Sequence, residues 1–249
     1  MKIIYCAYGR AGHECLDQLL SNFNIKKTNL KIFTHNIPNN EEFIEYLQKS
    51  GFNFTFQNVN DCFDDIKKFN PNYLLSVYYR FIVNTKILNM VNNNAMNLHP
   101  SLLPSYRGAK SSVWALINNE QHTGISFHYM NADLDSGNII LQKKINILDE
   151  DTAFSLYHKL INLFVVSFND AFQLMINGFE GKKQTGKVSY FSRDLPFNGV
   201  LNCDQITFDQ AAQFVKAMYF PPFKGGFLEI DGKVIEINSV DDLHNYIKK

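Results

Sequence analysis

Asn97 and His99 stand two residues apart at the end of the run "NAMNLH", and Asp135 follows downstream inside "NADLDSG". In a strand, residues i and i+2 point to the same face, so the carboxamide and the imidazole would project side by side into one space. With a carboxylate within reach, these three types form acyl-transfer equipment. The imidazole can take a proton from an attacking nucleophile, the carboxylate can orient it and favour its charged form, and the amide can donate to a developing oxyanion. No Ser or Cys stands in a nucleophile elbow such as GxSxG, which points to a second substrate as the nucleophile. The competing reading is a buried Asn and His that satisfy loop backbone.

The elements that would carry these residues follow from the pattern of apolar runs. "KIIYCAY" reads as a first strand, and Ala11, Cys15, Leu16, Leu19, Leu20 and Phe23 follow at helical spacing. "LKIFTH" precedes the helical "NNEEFIEYLQKSG", "FNFTFQ" precedes "DCFDDIKKF", and "NYLLSVY" precedes "NTKILNMV". Short apolar strands separated by crossover-length helices predict an α/β fold with a parallel sheet covered on both faces. "NAMNLH" is the next strand, and ligands in such sheets sit beyond the carboxyl ends of strands, where Asn97 and His99 fall. After the helix "SSVWALINN" come two alternating strands, "GISFHYMN" and "NIILQKKINI", joined by "ADLDSG". The long apolar helix within "TAFSLYHKLINLFVVSFNDAFQLMINGF" is expected to stop at Gly178. From about Lys182 the character changes to loop, an amphipathic helix in "FDQAAQFVKAMYF", the breaker "PPFKGG" and a hairpin "FLEIDGKVIEI" turning at Asp231-Gly232. Residues 1–181 are therefore read as the main domain and 182–249 as a small α+β subdomain.

Bulk properties exclude several classes. The 249 residues carry 24 basic and 24 acidic side chains, so no overall field draws nucleic acid or an anionic membrane. Cys6, Cys15, Cys62 and Cys203 are scattered without CxxC spacing, which argues against structural zinc and for reduced thiols in a cytoplasmic protein. The N-terminus has no signal-peptide h-region, and no uninterrupted apolar stretch reaches the roughly 18 residues of a membrane span.

"MNLHPSLLPSYRGAKSSVWALIN" together with "ADLDSGNII" resembles the core signature of the 10-formyltetrahydrofolate-dependent formyltransferases, over roughly residues 1 to 180. The resemblance implies a Rossmann-like catalytic domain, a catalytic trio of Asn97, His99 and Asp135, 10-formyltetrahydrofolate as formyl donor, and no metal. It also implies a pterin pocket lined by "SVYYRFIV", through Tyr78, Arg80, Phe81 and Ile82, and closed by "NADLDSG", through Asn131 and Asp133. The C-terminal "VKAMYFPPFKGGFLEIDGKVIEI" is similar to the sugar-nucleotide N-formyltransferase branch, departing from it at Lys224-Gly225-Gly226. That branch implies a homodimer and a nucleotide-linked amino-dideoxy sugar as acceptor, with dTDP-4-amino-4,6-dideoxyglucose the first candidate, feeding O-antigen or lipopolysaccharide synthesis. A nucleotide sugar needs cations for its pyrophosphate and flat apolar surfaces for its base. Arg107, Arg193 and Lys224 are available for the first, and Tyr106, Tyr190, Tyr219, Phe220 and Phe223 for the second, while Gly9 and Arg10 close the first strand. Methionyl-tRNA and glycinamide ribonucleotide formyltransferases are the enzyme alternatives, and a folate- or nucleotide-binding module is the non-enzyme one. His13, His35, His122, His128, His158 and His244 are read as structural or surface residues.

Overall fold

The computed structural model describes residues 1–202, 206–230 and 232–247. Cys203 and the turn residue Asp231 lie outside the described residues. Strand and helix alternate through β1 (Ile3–Ala7), α1 (Gly9–Ser21), β2 (Leu30–Phe33), α2 (Glu41–Lys49), β3 (Phe54–Thr55), α3 (Phe63–Phe69), β4 (Tyr73–Val77), α4 (Thr85–Met90) and β5 (Ala95–His99). The chain continues through β6 (Arg107–Gly108), α5 (Ser111–Ile117), β7 (His122–Tyr129), β8 (Ile139–Asn146) and α6 (Ala153–Ile176). It closes with β9 (Tyr190–Phe191), β10 (Val200–Asn202), α7 (Phe208–Met218), β11 (Gly226–Ile230), β12 (Lys233–Ile237) and α8 (Val240–Leu243).

Seven strands form one sheet in the order β3-β2-β1-β4-β5-β7-β8. Pairings among the first five are parallel, and β7 runs antiparallel to β5. All five residues of β1 are fully buried, as expected for a parallel strand covered on both faces, whose sequence is a continuous apolar run. The order in which strands are added across the sheet reverses between β1 and β4: β2 and β3 lie to one side, β5 to the other. Such a switch point opens a crevice at the carboxyl ends of its strands. The expected α/β fold with a parallel-rich sheet is borne out.

The chain gathers into two compact units. The first comprises residues 1–99, 125–143 and 161–186; the second comprises 100–124, 144–160 and 187–249. The second unit thus includes two segments that precede residue 182. Within it, α7 buries Ala211, Phe214, Val215 and Met218 and packs on α5. The strands β10, β11 and β12 form a small sheet whose last pair is the expected hairpin, with Ile230 opposite Lys233.

Helix α6 has the length and mean hydropathy of a membrane-crossing helix, yet Leu156, Leu160, Phe164, Phe168 and Phe172, an i+4 stripe, are all fully buried. Its start is fixed by reciprocal bonds between Thr152 and Ser155, each backbone N–H donating to the other's hydroxyl at 3.2 and 3.0 Å. It ends in a Schellman motif: Gly178, at φ +79°, donates to Met175 and Phe179 donates to Leu174.

Candidate active site

Asn97 and His99 share a face, and the antiparallel register sets His128 of β7 directly opposite Asn97. The loop after β7 returns Asp135 to both. His99 Nδ1 lies 3.3 Å from Asp135 Oδ2, with their side chains 4% and 6% exposed. Asn97 Nδ2 donates to Asp135 Oδ1 at 3.4 Å and lies 3.2 Å from His128 Nε2. His128 Nε2 is itself 3.5 Å from the same carboxylate oxygen. The Tyr129 carbonyl, 2.8 Å from His128 Nδ1, can only accept, so Nδ1 holds a proton. In the neutral ring Nε2 is then the acceptor for the Asn97 amide. His128, read from sequence as a structural or surface histidine, is therefore part of this cluster.

Asp135 stands in the left-handed region, at φ +50°, which Asp tolerates better than most side chains. Gln184 fixes it: one Nε2 donates to the carbonyls of both Asp135 and Gly137, each at 2.8 Å. Gly137 is required by close approach, since a Cβ there would stand 1.9 Å from the Tyr129 carbonyl oxygen. That carbonyl also orients His128, so the last residue of "ADLDSG" and the cluster share one support.

Of the residues expected at a pterin pocket, Phe81 and Ile82 are 42% and 69% exposed, apolar surface that a flat ligand could cover. Arg80 is exposed as well. Tyr78 sits at φ +57° with its ring edge-on to Phe164. Asn131 and Asp133 belong to a loop tied by Ser136, whose hydroxyl donates to Asn131 Oδ1 at 2.8 Å and to the Asp133 carbonyl at 3.0 Å. A cavity of about 610 Å³ in the first unit is lined by Thr85, Leu88, Met130, Asn131, Ala132 and Ser136 among others. Asn131 lines it; Tyr78, Arg80, Phe81, Ile82 and Asp133 do not.

The expected acceptor residues divide between the units. In the first, Gly9 donates its N–H to Asn40 Oδ1 at 2.7 Å, and Arg10 is committed to Glu14 and Asn162, both at 2.5 Å. In the second, β6 and β9 pair in parallel and bring Arg107 beside Tyr190. Arg107, only 8% exposed, donates from Nη1 to the Tyr190 hydroxyl at 2.6 Å, and its guanidinium lies over that ring. Tyr106 stacks on Phe191, and Phe191 on Trp114. The Tyr106 hydroxyl is pushed up to about 12 by burial and by its bond to Glu120. Phe220 packs edge-on against Phe154 and Tyr157. Arg193, Tyr219, Phe223 and Lys224 are exposed.

Residues 29–164 match the formyl transferase family. The chain belongs to that family. Its relatives include the GDP-perosamine N-formyltransferase of Brucella melitensis, 32% identical over 243 residues that cover 96% of this chain and 93% of the relative. The same fold occurs in an N-formyltransferase from Helicobacter canadensis solved with folinic acid and dTDP-3-aminofucose, at a TM-score of 0.77 and 23% identity, covering 94% of this chain and 86% of that one. It occurs again in WlaRD, a sugar 3N-formyl transferase, at a TM-score of 0.78 and 22% identity, covering 94% and 84%. This formyl transferase is thus an enzyme of the expected type, and relatives of the expected sugar N-formyltransferase branch span nearly its whole length.

Proposed function

We propose that this formyl transferase moves a formyl group from 10-formyltetrahydrofolate to the amino group of a nucleotide-linked amino-dideoxy sugar. The observation that carries the reading is the buried cluster in which Asp135 meets both His99 and Asn97. With Nδ1 of His99 donating to Asp135, the lone pair lies on Nε2, which is the nitrogen able to take a proton from the attacking amine and return it to the departing folate nitrogen. Asn97 donates from Nδ2 to the tetrahedral oxyanion, exchanging one of its present acceptors for the developing charge. Asp135 keeps the imidazole in that tautomer and orientation. The donor's pterin would lie against Phe81 and Ile82 and the loop of Asn131 and Asp133.

The acceptor's pyrophosphate suits Arg107 with Arg193 and Lys224, and its base suits Tyr106, Tyr190, Tyr219, Phe220 and Phe223. dTDP-4-amino-4,6-dideoxyglucose is the first candidate. A GDP-linked amino sugar is the second, favoured by the acceptor in the name of the Brucella melitensis relative. The working enzyme is a cytoplasmic homodimer that acts without metal or nucleic acid, and its product serves surface polysaccharide synthesis.

The test is a coupled assay of folate release from 10-formyltetrahydrofolate with dTDP- and GDP-linked 4-amino sugars, charged methionyl-tRNA and glycinamide ribonucleotide. Turnover with a sugar nucleotide supports the reading. Turnover confined to the last two acceptors overturns it.

A further inference from the structure

The segment 78–84, which follows β4 and presents Phe81 and Ile82, is held by side chains that no motif marked. The Arg80 N–H donates to His35 Nε2 at 3.0 Å. His35 is 5% exposed and stacks on Tyr79 at 4.6 Å between ring centres, with Phe81 edge-on at 4.9 Å. Its own backbone is fixed too, because Asn40 donates from Nδ2 to the His35 carbonyl at 2.5 Å while Asn40 Oδ1 accepts from Gly9 at 2.7 Å. Neighbouring strand ends, those of β2, β1 and β4, are joined through these contacts. On the other flank, Asn60 donates to the Ile82 carbonyl at 2.8 Å and accepts from the Asn84 N–H at 2.9 Å. The Tyr79 hydroxyl accepts from the Val59 N–H at 3.1 Å.

These bonds go beyond what a core needs. Val83 of this segment is buried in the core, but Phe81 and Ile82 are exposed, so the network does not bury those two; it fixes the backbone that carries them. We propose that His35 and Asn60 are the positioning residues for the formyl donor: His35 anchors Arg80 from one side, Asn60 clamps Ile82 and Asn84 from the other, and together they preset the surface on which the pterin lies. His35 acts as an acceptor, so its ring works in the form protonated at Nδ1. A preset surface lowers the ordering cost of binding, which places the effect on donor affinity. This inference rests on the reading of segment 78–84 as the donor's site.

The experiment compares wild type, His35→Phe, His35→Gln and Asn60→Ala in the 249-residue protein. Steady-state kinetics are run with 10-formyltetrahydrofolate and the acceptor, direct binding with 5-formyltetrahydrofolate, and thermal unfolding alongside. His35→Phe keeps a ring to stack on Tyr79 and removes the acceptor of the partly buried Arg80 N–H; it is expected to raise the donor KM by about tenfold, the scale of one lost hydrogen bond. kcat and the acceptor KM should stay within about twofold, because no group at the reacting atoms is touched. His35→Gln restores an acceptor and should recover most of the donor affinity. Asn60→Ala, at a partly exposed position, should raise the donor KM in the same selective way and keeps the test sound should His35→Phe not fold. Unchanged donor KM in the folded variants overturns the inference, as does a uniform loss in kcat and both KM values. Absence of 5-formyltetrahydrofolate binding by wild type overturns the donor reading itself, a distinct result.

Discussion

At the scale of single residues, the cluster makes a kinetic statement. A base that acts mainly in the transition state adds little to ground-state affinity. His99→Asn is therefore expected to cut kcat by about 10²-fold or more, the range of general acid-base groups, with both KM values altered less. Asp135→Asn should fall by a similar factor, and the double variant should lose less than the product of the two, since residues acting as a unit are not additive. A folded His99→Asn enzyme within a few-fold of the parent rate would remove His99 from the chemistry. The Asn97 and His99 pair was legible because strand periodicity alone puts i and i+2 on one face. Asp135 was legible only through the motif that contains it, since nothing in chain distance says that the loop after β7 folds back. His128 was not legible at all. In "GISFHYMN" it reads as a structural or surface histidine, and only the register of β7 against β5 reveals that it faces Asn97.

At the scale of elements, Gln184 and Asp151 carry the sharpest expectations. Gln184 touches no substrate; it holds the backbone of the loop on which Asp135 rides. Gln184→Leu should lower kcat by about tenfold, because small misplacements of a catalytic group are costly, while the unfolding temperature moves by only a few degrees. An unaltered kcat would show that the loop keeps its shape without the amide. Asp151, 1% exposed, closes the entry to α6. Burial, the largest influence, pushes its carboxyl up, but bonds from Lys159, the Leu148 N–H and Ser155 together hold it below the ordinary value. A carboxyl depressed in the folded state contributes stability above its unfolded pKa and loses it as pH falls through the folded one. Thermal stability should thus drop as pH falls from the ordinary carboxyl range to below it, and Asp151→Ala should flatten that part of the profile. The same variant should cost about 1–3 kcal/mol, or several degrees in the melting temperature. An unchanged acid limb in Asp151→Ala would assign the loss to other carboxylates. The strand and helix order was legible from apolar periodicity and breakers. The two-residue pairing of β6 with β9 was not, because strands that short have no period to read and their partners lie far apart in sequence.

At the scale of the whole molecule, each unit is drawn from three separate stretches of the sequence. The chain passes from one to the other at 99/100, 124/125, 143/144, 160/161 and 186/187. Composition shifts near Lys182, which is why sequence suggested a boundary there, yet composition is blind to earlier segments that fold with later ones. Helix α5 is such a segment: Ala115 and Leu116 are buried, α7 packs on it, and Gln213 donates to Asn119 at 3.2 Å. Trp114 and Tyr106 likewise sandwich Phe191 of β9, and the Tyr106 N–H donates to Ser189 at 2.8 Å. Removing residues 182–249 would take away α7, Phe191, Ser189 and Gln184 together, exposing apolar surface in residues 100–124 and freeing the loop of Asp135. Exposed contiguous apolar surface favours association over folding. A fragment ending at residue 181 is therefore expected to aggregate, or to keep far-UV but lose near-UV circular dichroism, the signature of secondary structure without fixed packing. The intact chain should give one cooperative transition in the same measurements. A monomeric, cooperatively melting 1–181 fragment with native near-UV ellipticity would mean that the segments before residue 182 pack without the C-terminal part, and that the boundary read from composition is also a folding boundary.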